Sequence, residues 1–194
     1  MPSTSRLRLA LVAPSGSGKS TTAQLLKLHF ERAGKRVEIL KLAAPLYAIQ
    51  RMFYEEACRN LPDGAQDQYL LEHIATELRA LDRLSLVKNF ARRLMQSDAD
   101  VVINDDLRDD ATDWPYLRQH GFDVVKIVAD PAIRSARLTG RADLSVVEKS
   151  PLDLQMQRIR ADYALPNNGS IEALTAHVNA FADWVLGLTN RAAA

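Results

Sequence analysis

The chain has 194 residues, 47% of them hydrophobic, and 25 basic against 24 acidic side chains leave a formal charge of +1. This fits one globular domain, residues 1–194, with a real core, and it excludes a general attraction to nucleic acid or anionic membrane, so affinity for phosphate must come from local clusters. One cysteine, Cys58, excludes an intramolecular disulfide, and no run reaches the roughly 20 apolar residues that span a bilayer.

Leu7 to Ala13 runs apolar into a loop with Pro14, Gly16 and Gly18, which predicts a buried parallel strand rather than a signal peptide. A helix follows from about Lys19 through Phe30, Gly34 caps it, and Val37 to Leu40 is the second strand. Pro45 to Cys58 predicts a helix, Leu61 to Gly64 a turn, and Gln68 to Leu81 and Leu84 to Gln96 two more helices. Asp100 to Asn104 is the third strand, with Asp105 and Asp106 at its carboxyl end. A short helix, Trp114 to His120, leads through Gly121 to a fourth strand, Val124 to Val128. Pro131 to Leu138 is helical, Thr139 to Pro151 is polar and weakly periodic, and Tyr163 to Pro166 is a fifth strand. After the turn at Asn167, Asn168 and Gly169, Ser170 caps a last helix with Ile171, Leu174, Val178, Phe181, Val185 and Leu188 on one stripe.

Strands alternating with helices from a strand-first start imply an α/β fold, a five-stranded parallel sheet with helices on both faces in three layers. Ligands in such folds lie at the carboxyl ends of the strands. The motif loops fall there.

Residues 13–20, Ala-Pro-Ser-Gly-Ser-Gly-Lys-Ser, match the phosphate-loop pattern G-x-x-x-x-G-K-[ST] except at its first position, where Ala13 replaces glycine. Such a loop between strand and helix predicts a nucleoside triphosphate site for MgATP, built from Ser15, Gly16, Ser17, Gly18, Lys19, Ser20 and Thr21. Backbone N–H groups curl around the phosphates, Lys19 reaches the β and γ groups, and Ser20 ligates Mg²⁺. Asp105 or Asp106 would complete the Mg²⁺ shell, or the two acids form a solvated turn. Arg108 pairs with Asp106 or clamps a substrate phosphate. Arg134, Arg137 and Arg141 either bring charge to a transferring phosphoryl group or form an exposed basic face. Among Lys41, Arg51, Arg79, Lys88, Arg92 and Arg93, which precede the third strand, Lys41, Arg79 and Arg92 are the candidates for holding an acceptor. The four histidines show no metal-ligand spacing.

These residues resemble the P-loop kinases of the nucleoside monophosphate kinase group, and within it the phage-type deoxynucleoside monophosphate kinases and animal phosphomevalonate kinases. The likeness rests on the phosphate loop, Lys41 to Leu46, Asp106-Leu107-Arg108, and Asp162 to Gly169. It implies a helical acceptor region over about 42–97 and a lid over about 134–152. Lys41 and Pro45 would approach the acceptor, Asp106 and Arg108 the reaction centre, Arg134, Arg137 and Arg141 the lid, and Asn167-Asn168-Gly169 the adenine, with Asn168 as its contact. The implied function is an ATP-dependent kinase of a nucleoside monophosphate or nucleotide-like acceptor, a modified deoxypyrimidine among them. The alternatives are a kinase of a small phosphorylated metabolite, a kinase of a hydroxymethylated base in DNA, and a P-loop ATPase or switch without a small-molecule acceptor. A cytoplasmic monomer or homodimer with no membrane partner is the expected setting.

Overall fold

The computed structural model describes residues 6–139 and 151–192. Arg141 and the segment Glu148 to Ser150, both assigned above to a lid, lie outside the described residues. Five strands, β1 (Leu7–Val12), β2 (Val37–Ile39), β3 (Val101–Leu107), β4 (Asp123–Val128) and β5 (Tyr163–Pro166), form one sheet in the order β2-β3-β1-β4-β5. Every pairing is parallel. This is the predicted sheet. No helix among the described residues is long and apolar enough to cross a membrane.

The period-two alternation of β1 divides the core into two layers. Leu7, Leu9 and Leu11 point to one face, where α1 (Lys19–Arg32) contributes Ala23, Leu26 and Phe30, and α8 (Ile171–Ala192) contributes Leu174, Val178, Phe181 and Val185. Ala10 and Val12 point to the other face, under Val87, Phe90 and Leu94 of α4 (Ser85–Gln96) and Leu117 of α5 (Asp113–Gln119). Both faces are covered by helices, as hydrophobic parallel strands require.

Between β2 and β3 the chain inserts three helices, α2 (Ala44–Glu56), α3 (Gln68–Leu81) and α4, with a small core of their own formed by Leu46, Leu71, Ile74 and Leu86. Their connection is locked by polar contacts. Buried Gln50 donates to the Ala65 carbonyl at 3.2 Å and accepts from the Asp67 N–H at 2.9 Å, while Asp67 caps α3 by accepting from the Leu70 N–H at 3.1 Å. The remaining helices are α6 (Pro131–Thr139) and α7 (Pro151–Arg158). The sequence reading did not predict α7, whose short run has no clear apolar stripe; Met156 nonetheless packs into the second core layer.

Two other differences bear on the site. First, β3 extends to Leu107, so Asp105 and Asp106 lie inside the strand rather than after it. Second, Ala10 pairs with Asn104 but Val12 with Leu107, so β3 carries one extra residue at the two aspartates. A bulge of this kind bends a strand locally and re-aims its side chains.

Phe90 is fully buried, with its ring against Tyr116 and Phe122. Phe90→Ala should cost about 3–5 kcal/mol of unfolding free energy, read by denaturant titration.

Candidate functional site

The loop between β1 and α1 forms the first part of the site. Gly16 and Gly18 have left-handed backbone, φ 79° and 91°, which side-chain-bearing residues rarely adopt. Both also sit against other segments: a Cβ on Gly16 would lie 2.6 Å from the Arg134 carbonyl, and one on Gly18 would strike the Asn167 side-chain amide. Gly18 provides no side-chain cap for α1, so the first-turn N–H groups and the positive end of the helix dipole remain available to an anion. Ala13, where glycine is usual, is buried in the core, and its carbonyl accepts from the Lys19 ammonium. Cys58 is the sole non-glycine residue with positive φ among the described residues, so Ala13 makes its turn without left-handed backbone.

A cavity of about 350 Å³ opens on this loop, lined by residues 14–21 together with Lys41, Asp105, Asp106, Arg108 and Arg137. It brings Ser15, Gly16, Ser17, Gly18, Lys19, Ser20 and Thr21 onto one surface. The cavity and the positive start of α1 that faces it fit the polyphosphate of a nucleotide. No group of three or more His, Cys, Asp or Glu among the described residues could hold a metal ion. Magnesium bound beside phosphates needs only one or two protein ligands, however, and the Ser20 hydroxyl and Asp105 carboxylate line the same cavity.

The bulge gives the two aspartates different partners. Asp105, 4% exposed, takes the Lys41 ammonium on both oxygens at 2.6 and 2.7 Å. Asp106 accepts from the backbone N–H groups of Leu42 and Ala43, each at 2.9 Å, and from the Asn104 amide at 2.6 Å. Burial raises the Asp106 pKa above the ordinary carboxylate value, and the two backbone N–H groups pull against that rise. With both oxygens taken by donors, Asp106 acts here on the 42–43 turn. Arg93 holds the same turn from α4, donating to the Lys41 carbonyl at 2.6 Å.

Other predicted residues have separate places. Arg134 donates to the Ser15 carbonyl at 3.4 Å and braces the loop from outside the cavity. Arg137 lines the cavity and reaches the Asn167 carbonyl at 3.2 Å. Asn168 does not line it; its side chain accepts from the Asp130 N–H at 2.8 Å. The neighbouring Asn167 is the one turned inward, 5% exposed and donating to the Ser17 carbonyl at 2.8 Å. Pro45 starts α2 and lines neither this cavity nor the next, and Arg92 is exposed on α4 and lines neither.

A second cavity, about 100 Å³, adjoins the first and shares Tyr47, Gln66, Gln68, Asp106 and Arg108 with it. Leu42, Ala43, Leu46, Leu71, Ala75 and Leu86 give it an aliphatic wall, and polar side chains, Gln66, Gln68 and Glu72 among them, line the rest. Arg108 makes no hydrogen bond or ion pair among the described residues and lines both cavities. Arg79, predicted to hold a substrate, lines the second cavity, 3.3 Å from Asp113 and 3.9 Å from Asp109. Neither acid was identified from sequence. Burial pushes the Asp113 carboxyl up to about 7 against the pull of Arg79. Asp109 and Asp113 are four apart across a strand-to-helix junction, a spacing with no motif attached.

No protein-family model matches the chain, and no curated protein matches it in sequence. Solved structures do resemble it. A gluconokinase from Sinorhizobium meliloti superposes with a TM-score of 0.53 at 15% identity over 93% of each chain. A shikimate kinase from Bacteroides thetaiotaomicron gives 0.57 at 14% identity, over 92% of this chain and 98% of its own. A shikimate kinase from Acinetobacter baumannii, in complex with shikimate, gives 0.52 at 15% identity over 95% and 93%. At such identities the likeness is one of fold: the chain has the α/β fold of P-loop kinases, with a five-stranded parallel sheet and helices on both faces.

Proposed function

We propose that the chain is an ATP-dependent kinase that transfers the γ-phosphoryl group to a nucleoside monophosphate or nucleotide-like acceptor. The observation that carries this reading is the pair of adjoining cavities. An anion cradle opens onto an aliphatic slot through Tyr47, Gln66, Gln68, Asp106 and Arg108. A hydrolase or switch needs only the first cavity. A slot beside it gives a second molecule a place within reach of the transferring group.

ATP lies along residues 14–21, with its γ-phosphate toward the shared residues. Ser20 would hold magnesium together with Asp105, once the Lys41 ammonium releases a carboxylate oxygen, and the ion would supply neutralisation of phosphate charge. Lys19 leaves the Ala13 carbonyl for the phosphates, and Arg137 adds positive charge from α6. An acceptor oxygen attacks the γ phosphorus, the bond to the bridging oxygen breaks, and ADP leaves. The transition state is loose and asks mainly for positioning and neutralised charge, so no strong base is required. The aliphatic part of the slot suits the faces of a nucleobase, and Arg108, at the junction and without a partner among the described residues, suits the acceptor phosphate. Asp106 positions the 42–43 wall of the slot.

Lys19→Ala should lower turnover roughly 100- to 1000-fold without unfolding the protein, read by coupled ADP release and circular dichroism. Arg108→Ala should raise the acceptor KM more than the ATP KM, since Arg108 faces the junction; equal effects on both would place it on ATP instead. Product analysis tests the reading as a whole. Phosphorylated acceptor with nucleoside monophosphates supports it, and free phosphate as the only product across nucleotides and phosphorylated metabolites would sink it.

A further inference from the structure

The helical cavity contains a polar cluster that phosphoryl transfer does not use. Arg79 of α3 and Asp109 and Asp113 line this cavity and not the phosphate-loop cavity. They therefore belong to the part of the acceptor that does not react.

The chemistry of the cluster limits what it can meet. One guanidinium faces two carboxylates, so the cluster is neutral or negative and would repel a phosphate. Asp109 is already committed, since its Oδ1 accepts from the N–H groups of Ala111, Thr112 and Asp113 and from the Thr112 hydroxyl, at 2.6 to 3.3 Å. Asp113 is less so. Its Oδ1 takes only a long 3.2 Å bond from Thr112, and its Oδ2 meets Arg79 at 3.3 Å. Of the N–H groups of Arg79, only Nη2 meets a carboxylate, and Nε is buried without a partner among the described residues. The cavity thus offers the Asp113 carboxylate beside the Arg79 guanidinium, with aliphatic side chains near both. A ligand edge that sets an acceptor atom beside an N–H would meet both groups at once.

We propose that Arg79 and Asp113 are the specificity-determining pair for the acceptor's nucleobase, reading an N–H group that lies beside a ring nitrogen or carbonyl oxygen. The assignment rests on the nucleotide reading above. Arg79 donates to the ring acceptor atom, Asp113 accepts from the adjacent N–H, and Asp109 holds Arg79 in place. Leu42, Leu46, Leu71, Ala75 and Leu86 on the same cavity offer apolar contact to the faces of a planar base. A site that hydrogen-bonds a ligand group discriminates strongly against analogues lacking it.

The pair also carries a pH signature. The Asp113 carboxyl, pushed up to about 7 chiefly by burial, faces Arg79 from α3, Asp109 from the segment before α5, and Asp106 from β3, with Glu72 and Arg108 on the same cavity. The ionised form accepts the base N–H more strongly than the protonated one, which also presents an O–H donor to the base. Acceptor use should therefore rise with pH through about 7. Folding stability should move the opposite way. The native state retains a proton that the unfolded chain loses from about pH 4, so this group's contribution falls as pH rises from about 4 to about 7.

The test is steady-state kinetics with nucleoside monophosphates of the common bases at saturating MgATP, for the wild type, Asp113→Asn and Arg79→Gln, from pH 5.5 to 8.5. In Asp113→Asn the acceptor KM should rise roughly 10- to 100-fold, the order of base preference should change, and the pH dependence below 7 should flatten. The ATP KM should stay within about twofold. The acceptor phosphate titrates near pH 6 in every variant, so the difference between profiles is the readout. Wild-type base preference at pH 6 and 8 gives a second measurement that needs no variant, and a shift between the two supports the assignment. An unchanged preference and profile in both variants, with the wild type active on nucleotides, overturns it. So does a loss of the stability slope in Asp113→Asn without a kinetic effect, which would make the pair purely structural. Failure of the wild type on every nucleoside monophosphate, with another acceptor phosphorylated, overturns the nucleotide reading itself.

Discussion

The arrangement of the site depends on one carboxylate. Asp106 takes the N–H groups of Leu42 and Ala43 and the Asn104 amide, and so ties the carboxyl end of β3 to the segment that leaves β2. Without it, two backbone N–H groups would lose their partner in a poorly hydrated turn, at a cost of about 1–3 kcal/mol each. Arg93 holds the Lys41 carbonyl of the same turn from α4. Held from both sides, the turn directs Lys41 to Asp105, starts α2, and places Leu42, Ala43 and Leu46 as one wall of the helical cavity.

The phosphate loop is supported from behind in a comparable way. The Arg134 carbonyl lies where a Gly16 side chain would be, the Asn167 amide lies where a Gly18 side chain would be, and Asn167 also holds the Ser17 carbonyl. The glycines therefore serve two ends, left-handed backbone for the anion cradle and room for α6 and the β5–α8 turn to close on it. These contacts link distant parts of the chain to a single loop, and they engage loop carbonyls, which as acceptors cannot bond a phosphate.

Much of this was legible in sequence where the signal is local. The strand–loop–helix opening, the alternation of β1, the stripe of α8 and the turn glycines follow from short-range periodicity and backbone preference. The phosphate loop needed eight consecutive residues and no tertiary knowledge. Elsewhere local signals ended early. Asp105 and Asp106 looked equivalent because a bulge is a property of the register with β1, which no single strand encodes. Of Asn167 and Asn168 the sequence reading singled out Asn168, whereas the packing of the β5–α8 turn directs the Asn167 side chain to the Ser17 carbonyl. Arg92 and Arg93 are adjacent on one basic helix, yet the rotation of α4 exposes the first and turns the second to the Lys41 carbonyl.

By itself the sequence determined every element but α7, the parallel α/β architecture and the phosphate-binding loop, because each rests on hydrophobic period, glycine geometry or contiguous residues. Tertiary structure alone decided which partner each member of the adjacent pairs meets, and it brought Arg79 together with Asp109 and Asp113 at one cavity from segments more than 25 positions apart. The physical reason is the same throughout. Hydrogen bonds and burial act between surfaces, and a side chain's direction depends on the register and helix rotation that packing sets.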